Sequence, residues 1–330
     1  MLRIAGVLTL LISLYVTLPL ADKNALGFSN LIDVANRQGF FGILTLGVAV
    51  LIVTGAIDLS IGSVAGLAAI TFGLLMWEGV PPIFAVGIVL LGGMLVGLAH
   101  GLLVTRMKLQ AFLVTLCGLF IYRGIARYIS KRTVGLSEIQ KENPSMTESI
   151  DFLRYVLIGK DESSALVFPA QLLVMLILAV ILGLILHKSV IGRYWYAIGY
   201  NESAARYSGI ATDRYRILAF VISSTLASLG GILMLLDIRT ADPNTAGTNW
   251  ELFAITGAVL GGCSLRGGEG TAIGIVIGAA VLPLLQNAMS FWKINGKEIP
   301  DSVIPVVIGL TLLLGTIVDE FFRRRSALRK

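Results

Sequence analysis

The chain has 330 residues, of which 56% are apolar and only 14% charged, with a formal net charge of +6. Soluble globular proteins carry about 25% charged residues, so this composition excludes an ordinary soluble fold. The excess of bases does not indicate nucleic acid, because the Lys and Arg residues sit at the ends of long apolar runs, where membrane topology requires them.

Taken in chain order, apolar segments fall at about 4–20, 39–56, 60–77, 82–105 and 110–130, then at about 167–187, 214–236, 250–262, 269–289 and 302–318. Crossing the hydrocarbon core takes about 20 mostly apolar residues, and several of these runs reach that length. The pattern predicts an all-α polytopic membrane protein of about ten transmembrane helices, forming one membrane domain over 1–330. The first run follows Arg3 and precedes Ala21, as a cleaved signal would, but it is long for a signal core and lacks a small-x-small site. It is therefore expected to remain as a span.

Basic residues set the orientation. With ten spans and both termini cytoplasmic, the inner loops hold Arg106 and Lys108, then Lys188, Arg193, Arg206, Arg214 and Arg216, then Arg266. The tail adds Arg323, Arg324, Arg325, Arg329 and Lys330 on the same side. The outer stretch 131–166 balances its bases with acids, and it divides five N-terminal spans from five C-terminal ones. Thr54-Gly55-Ala56-Ile57 and Thr256-Gly257-Ala258-Val259 are locally alike, which suggests a weak internal repeat.

Few residues in the spans offer chemistry. Asp58 lies in Thr54-Gly55-Ala56-Ile57-Asp58-Leu59-Ser60-Ile61-Gly62, between two apolar runs with no room for an exposed loop. A bare carboxylate in the bilayer is costly, so Asp58 or Ser60 is expected to cap the following helix, at a break that also suits a polar pathway. Asn287 is a further polar residue assigned to that pathway. Gly93, Gly97 and Gly101, and Gly270, Gly274 and Gly278, recur every four residues and predict close helix packing. The run Gly261 to Gly270 lacks the Gly-Lys-Ser/Thr ending of a phosphate loop, so ATP would have to act through another subunit. Two histidines, His100 and His187, have no ligand partners at metal spacing, and Cys117 and Cys263 are expected as free core thiols. No nucleophile elbow or zinc-protease helix is present.

The inner stretch 188–213 carries most information. Asn201-Glu202-Ser203-Ala204-Ala205-Arg206-Tyr207-Ser208-Gly209 predicts a short helix with Asn201 as its cap and Gly209 as its stop. A helix this short is not stable alone and suits a knob seated in a partner's groove. An ordinary surface helix between spans is the alternative reading.

These residues carry a family resemblance. Ala197, Gly199, Asn201, Ala204, Ala205, Ser208, Gly209 and Ile210 resemble the cytoplasmic coupling segment of ribose-type permeases of ABC importers, the class that handles simple sugars and autoinducer-2. Gly55, Ile57, Asp58, Leu59, Ser60, Gly62 and Ser63 match a second motif of that family. A third stretch is similar from Pro243 and Asn244 through Glu251 to Leu260-Gly261-Gly262 and Ser264-Leu265. The resemblance implies a multi-pass subunit of the bacterial inner membrane, paired with a second permease, identical or not. It implies docking to an ABC ATPase that holds the ATP and magnesium, and supply by a periplasmic solute-binding protein. No cofactor, metal or catalytic residue is expected in this chain. By the same resemblance, Asn201, Glu202, Ala204, Ala205, Ser208 and Gly209 would contact the ATPase, and Asp58, Ser60 and Glu251 would belong to the helix-break and pathway motifs. Phe253 stands where many sugar permeases carry an acid, and the 131–166 stretch is idiosyncratic, which leaves the solute open. A permease for branched-chain amino acids or another small solute, and a stand-alone secondary transporter, are the alternatives.

Overall fold

The computed structural model describes residues 2–21, 23–159, 167–294, 297–298 and scattered positions from 300 onward. Thirteen α-helices are described: α1 (Leu2–Ala21), α2 (Phe28–Val53), α3 (Ile61–Trp77), α4 (Pro82–Thr105), α5 (Ala111–Ile129), α6 (Leu136–Glu142), α7 (Thr147–Ile158), α8 (Ala170–Lys188), α9 (Val190–Tyr200), α10 (Glu202–Tyr207), α11 (Thr212–Ile238), α12 (Trp250–Leu260) and α13 (Ala272–Phe291). Two 3-10 helices, Lys23–Leu26 and Pro144–Met146, and two short antiparallel strand pairs are also described. β1 (Val134–Gly135) pairs with β2 (Thr240–Ala241), and β3 (Lys293–Ile294) with β4 (Lys297–Glu298).

Among the described residues, α2, α4, α5, α8, α11 and α13 are long and apolar enough to cross a membrane, whereas α3 and α12 are apolar but shorter. This is an all-α polytopic membrane architecture, and six such helices are fewer than the ten spans expected. About half of the tenth expected segment, at 302–318, lies outside the described residues, as do the basic tail and residues 160–166.

The bundle is built around α2 and α11. α11 packs along α4, α3 and α2, and α2 also packs along α8, α13 and α12. The glycine row on α4 explains the closest of these contacts: Cβ atoms at Gly93, Gly97 and Gly101 would run into Ser228, Phe220 and Ile217 of α11. Likewise Gly274 and Gly278 of α13 face the backbone of Gly261 and Gly257. α4, α5 and α8 turn their large apolar side chains outward, among them Ile83, Leu95, Phe120, Ile177 and Leu184, as a lipid-facing surface requires.

Three expectations are corrected. α2 begins at Phe28, eleven residues before the predicted start, because the polar residues of its first turns find partners: the Asn36 amide donates to the Ile158 carbonyl at 3.1 Å and its oxygen accepts from the Gln171 amide at 3.2 Å. The stretch 131–166, expected only as a divider between two groups of spans, contains α6 and α7, and β1 fastens it to the end of α11. Finally, Thr54-Gly55 lies in a helix break whereas Thr256-Gly257 lies inside α12, so the two matching tetrapeptides do not occupy equivalent structure.

Candidate functional site

Two interrupted helices and the α9–α10 segment meet at one end of the bundle. The chain leaves α2 after Val53, passes through residues 54–60 and re-enters helix at Ile61. Later in the sequence it leaves α12 at Leu260 and re-enters at Ala272, where Thr271 caps α13 by accepting from the Gly274 amide at 3.1 Å. The two breaks are joined directly, the Gly268 amide donating to the Val53 carbonyl at 2.9 Å.

α9 lies across this joint. Its N-terminus is capped by the Ser189 hydroxyl, which accepts from the Gly192 amide. Trp195, fully buried, donates from Nε1 to the Tyr215 carbonyl at 2.8 Å. The Tyr196 hydroxyl donates to the Gly270 carbonyl at 2.7 Å, and burial, followed by the nearby Cys263 thiol, pushes its pKa up to about 12. At Gly199 the α9 backbone touches Val53 and Gly268, with no room for a Cβ. Gly267 presses on Gly55 and Gly199 in the same way. The junction is therefore backbone against backbone, which only glycine permits.

The predicted short helix is α10. Asn201 caps it, its side-chain oxygen accepting from the Ala204 amide at 2.9 Å, and Gly209 ends it with φ +84°. Ala205 is buried while Ala204 and Ser208 are exposed. A Cβ at Gly209 would meet nothing, and the glycine serves its left-handed turn. Glu202 faces inward to Arg216, at 2.8 Å, rather than lying wholly on the outer surface. Arg206 bonds Glu202 at 3.3 Å and Asp213 at 2.6 Å. The Arg216 guanidinium reaches on to the Thr54 carbonyl at 3.4 Å, so an ion pair ties α10 to the first helix break. Tyr200, just before α10, and Tyr207, its last residue, are almost fully exposed, 88% and 93%. Arg216, Tyr200 and Tyr207 were not assigned roles from sequence. Exposed tyrosines beside a capped helix are a signal that could have been used, whereas the Arg216 contact spans too much sequence to be foreseen.

Beside this junction a cavity of about 510 Å³ lies between the two loops that hold Gly55 and Lys108 and the ends of α10 and α11. The basic residues Lys108, Arg206, Arg216 and Arg266, predicted to share one side of the membrane, do gather at this end.

Deeper in the bundle, Asp58 is buried. One carboxylate oxygen accepts from the Ser60 amide at 2.8 Å and from the Ser60 hydroxyl at 2.6 Å, while the other has no protein partner. Asp58 rather than Ser60 thus supplies the acceptor at the start of α3; the Ser60 hydroxyl is occupied with Asp58, and the Ser63 hydroxyl donates to the Ser60 carbonyl at 2.7 Å. His100 is buried nearby, 2.9 Å from the Tyr122 hydroxyl and edge-on to Phe220. Glu251, in the first turn of α12, is buried against Gly62 of α3, with one oxygen unpartnered and Arg123 of α5 within electrostatic reach. The starts of the two short helices therefore face each other inside the bundle. Asn287 does not join them. It forms a reciprocal amide pair with Asn30, at 2.7 and 3.2 Å, between α13 and α2. Cys117 and Cys263 are unpaired thiols, but only Cys263 is buried; Cys117, expected in the core, is exposed on α5. No metal cluster occurs among the described residues.

Comparison with known proteins agrees with this architecture. The chain is 31% identical over 299 residues to the ribose import permease protein RbsC of Escherichia coli K12, covering 91% of this chain and 88% of that protein. It is 32% identical over 314 residues to the ribose import permease of Haemophilus influenzae, covering 94% and 91%. It is also 32% identical over 281 residues to the autoinducer 2 import permease LsrC of Yersinia enterocolitica, covering 84% and 73%. No solved structure matches the chain. Residues 30–315 match the family described as branched-chain amino acid transport system / permease component. The chain belongs to that permease family, as a membrane transport subunit and not an enzyme.

Proposed function

We propose that this chain is the pathway-forming subunit of an ATP-driven importer of a simple neutral sugar. In this reading it has ten spans and both termini in the cytoplasm, pairs with a second permease, receives solute from a periplasmic binding protein and docks an ABC ATPase through α9–α10. The observation that carries the reading is the link from α10 through Glu202 and Arg216 to Thr54, with Gly199 seated on the Val53–Gly268 joint. A push on α10 from a partner is transmitted to both helix breaks without passing through a flexible loop. The breaks lead to Asp58, Ser60 and Glu251, which would line the route, and Asn201, Glu202, Ala204, Ala205, Ser208 and Gly209 would form the partner-facing element with Tyr200 and Tyr207.

The sugar assignment rests on the relatives that import ribose and autoinducer 2. The family description names branched-chain amino acids, so leucine is the control solute. Reconstituting the permease with its ATPase and binding protein in vesicles, and measuring ATP-dependent uptake of ribose and of leucine, tests the reading. Uptake of ribose and other neutral sugars that requires ATP and both partners supports it. Sugar uptake independent of the ATPase, or leucine uptake alone, would overturn it.

A further inference from the structure

At the opposite end of the bundle a second cavity, about 290 Å³, opens between α2, α11, α12 and α13. One wall is aromatic. Phe40 and Phe41 of α2 stand edge-to-face with Trp250, the first residue of α12, at ring distances of 4.8 and 6.3 Å. Arg37 of α2, Asp237 at the end of α11 and Gln286 of α13 line the same cavity. The spacing of Arg37, Phe40 and Phe41 accounts for their shared wall, since residues three and four apart lie on one face of a helix.

Arg37 is exposed and Asp237 half-buried at this end of the bundle. The mixture of walls identifies the solute. A sugar ring has an apolar C–H face that lies against aromatic rings, and a hydroxyl edge that both donates and accepts hydrogen bonds. Here a carboxylate accepts, a guanidinium donates and an amide does both. One acid and one base leave no net charge in the lining, which favours a neutral solute over an anion or a cation. Small-molecule sites of about 300–1,000 Å³ take drug-sized ligands, so this cavity suits one ring and not a disaccharide.

We propose that this cavity is a transient binding site for a single neutral sugar ring on its way into the pathway, stacked against Trp250 and Phe41 and hydrogen-bonded to Asp237, Arg37 and Gln286. The proposal rests on the sugar-import reading and adds the place of contact. Trp250 precedes Glu251, which abuts Gly62, so a ring held on Trp250 bears directly on the facing starts of α12 and α3.

The test uses the permease–ATPase complex in nanodiscs, with saturation-transfer NMR on ribose and on a panel of neutral pentoses and hexoses. Uptake into vesicles holding the binding protein is measured in parallel. Transfer to the C–H protons of an imported sugar is expected, with little to ribose 5-phosphate. Trp250→Leu and, separately, Gln286→Leu should each lower the transfer and the uptake about tenfold, while Trp250→Phe retains most of both. Gln286→Leu removes only a rim amide, so it decides the matter if Trp250→Leu fails to assemble. Sugar uptake by the unaltered complex with no transfer signal, or with uptake unchanged in a well-assembled Gln286→Leu complex, would overturn the site while leaving the import reading intact. Failure of the unaltered complex to import any neutral sugar would overturn both.

Discussion

Gly199 lies against the carbonyl of Val53 so closely that a methyl group between them has no space, although the two residues belong to helices far apart in the sequence. Gly199→Ala must therefore move backbone, not a side chain. Forcing atoms into a packed contact costs about 1–3 kcal/mol, and the melting temperature of the purified protein should fall accordingly. Gly209→Ala provides the contrast, because it meets no neighbour and costs only the left-handed turn, about 1–2 kcal/mol. Thermal unfolding in detergent should show both losses, but only Gly199→Ala should also abolish ATP-driven uptake.

The α10 cap gives a second expectation. Asn201→Ala removes the acceptor for the Ala204 amide and should cost about 0.5–2 kcal/mol, whereas Asn201→Asp keeps an acceptor and should be nearly neutral. Hydrogen exchange of the amides of residues 203–207 reads this locally. Equal exchange in both variants would mean that tertiary contacts alone hold the helix.

For the ion pairs, position decides which matters. Arg206 is about half exposed, so Arg206→Gln should change stability by no more than about 1 kcal/mol. The Arg216 side chain is only 17% exposed and also bonds Thr54, so Arg216→Gln should uncouple hydrolysis from uptake more strongly. A double-mutant cycle with Glu202→Gln should return an interaction of about 0.5–3 kcal/mol, as expected for residues in one network. Additive effects would rule out the proposed link between α10 and the helix break.

Asp58→Asn should assemble better than Asp58→Leu. An amide oxygen still accepts from the Ser60 amide, while leucine leaves that donor and the Ser60 hydroxyl buried without partners, at about 1–3 kcal/mol each. The yield of monodisperse protein measures the difference. Equal yields would remove any special role for Asp58 in holding the start of α3.

The last expectation concerns pH. The Tyr196 pKa lies at about 12, above the ordinary tyrosine value of about 10, and the protonated hydroxyl is the form that donates to Gly270. Because the folded value is the raised one, this contribution is fully present below about pH 10 and is lost as pH rises toward 12. Tyrosinate absorbance should show a late-ionising component, and Tyr196→Phe should reduce it. It should also flatten the loss of stability over the same interval.

Much of the fold is legible in the sequence where local chemistry acts alone. α4 starts and ends at the predicted residues because Pro82 begins it and the apolar run stops at Arg106. The capped helix at Asn201 is legible for the same reason. α9 is not, since Gly192, Gly199 and four aromatic residues read as a loop. It is helical because Trp195 is buried and anchored to Tyr215, a tertiary effect. The start of α2 is hidden likewise by polar residues that find partners more than a hundred positions away. In the site, Asp58 and Glu251 stand out as acids in apolar surroundings, but that the starts of α3 and α12 face each other could be known only from the folded chain.

The contact between α9 and the two helix breaks also bears on how such transporters diversify. Interlocked side chains commit each surface to one partner shape, so a change on one side calls for a matching change on the other. Here the mating surfaces are peptide planes, and the sequence need only withhold side chains at Gly199 and Gly267. An α9–α10 segment transplanted from a relative should seat on this joint if it keeps the glycine at 199, whatever its outward residues. Any face that α10 offers to a partner can then vary while the joint beneath it stays interchangeable.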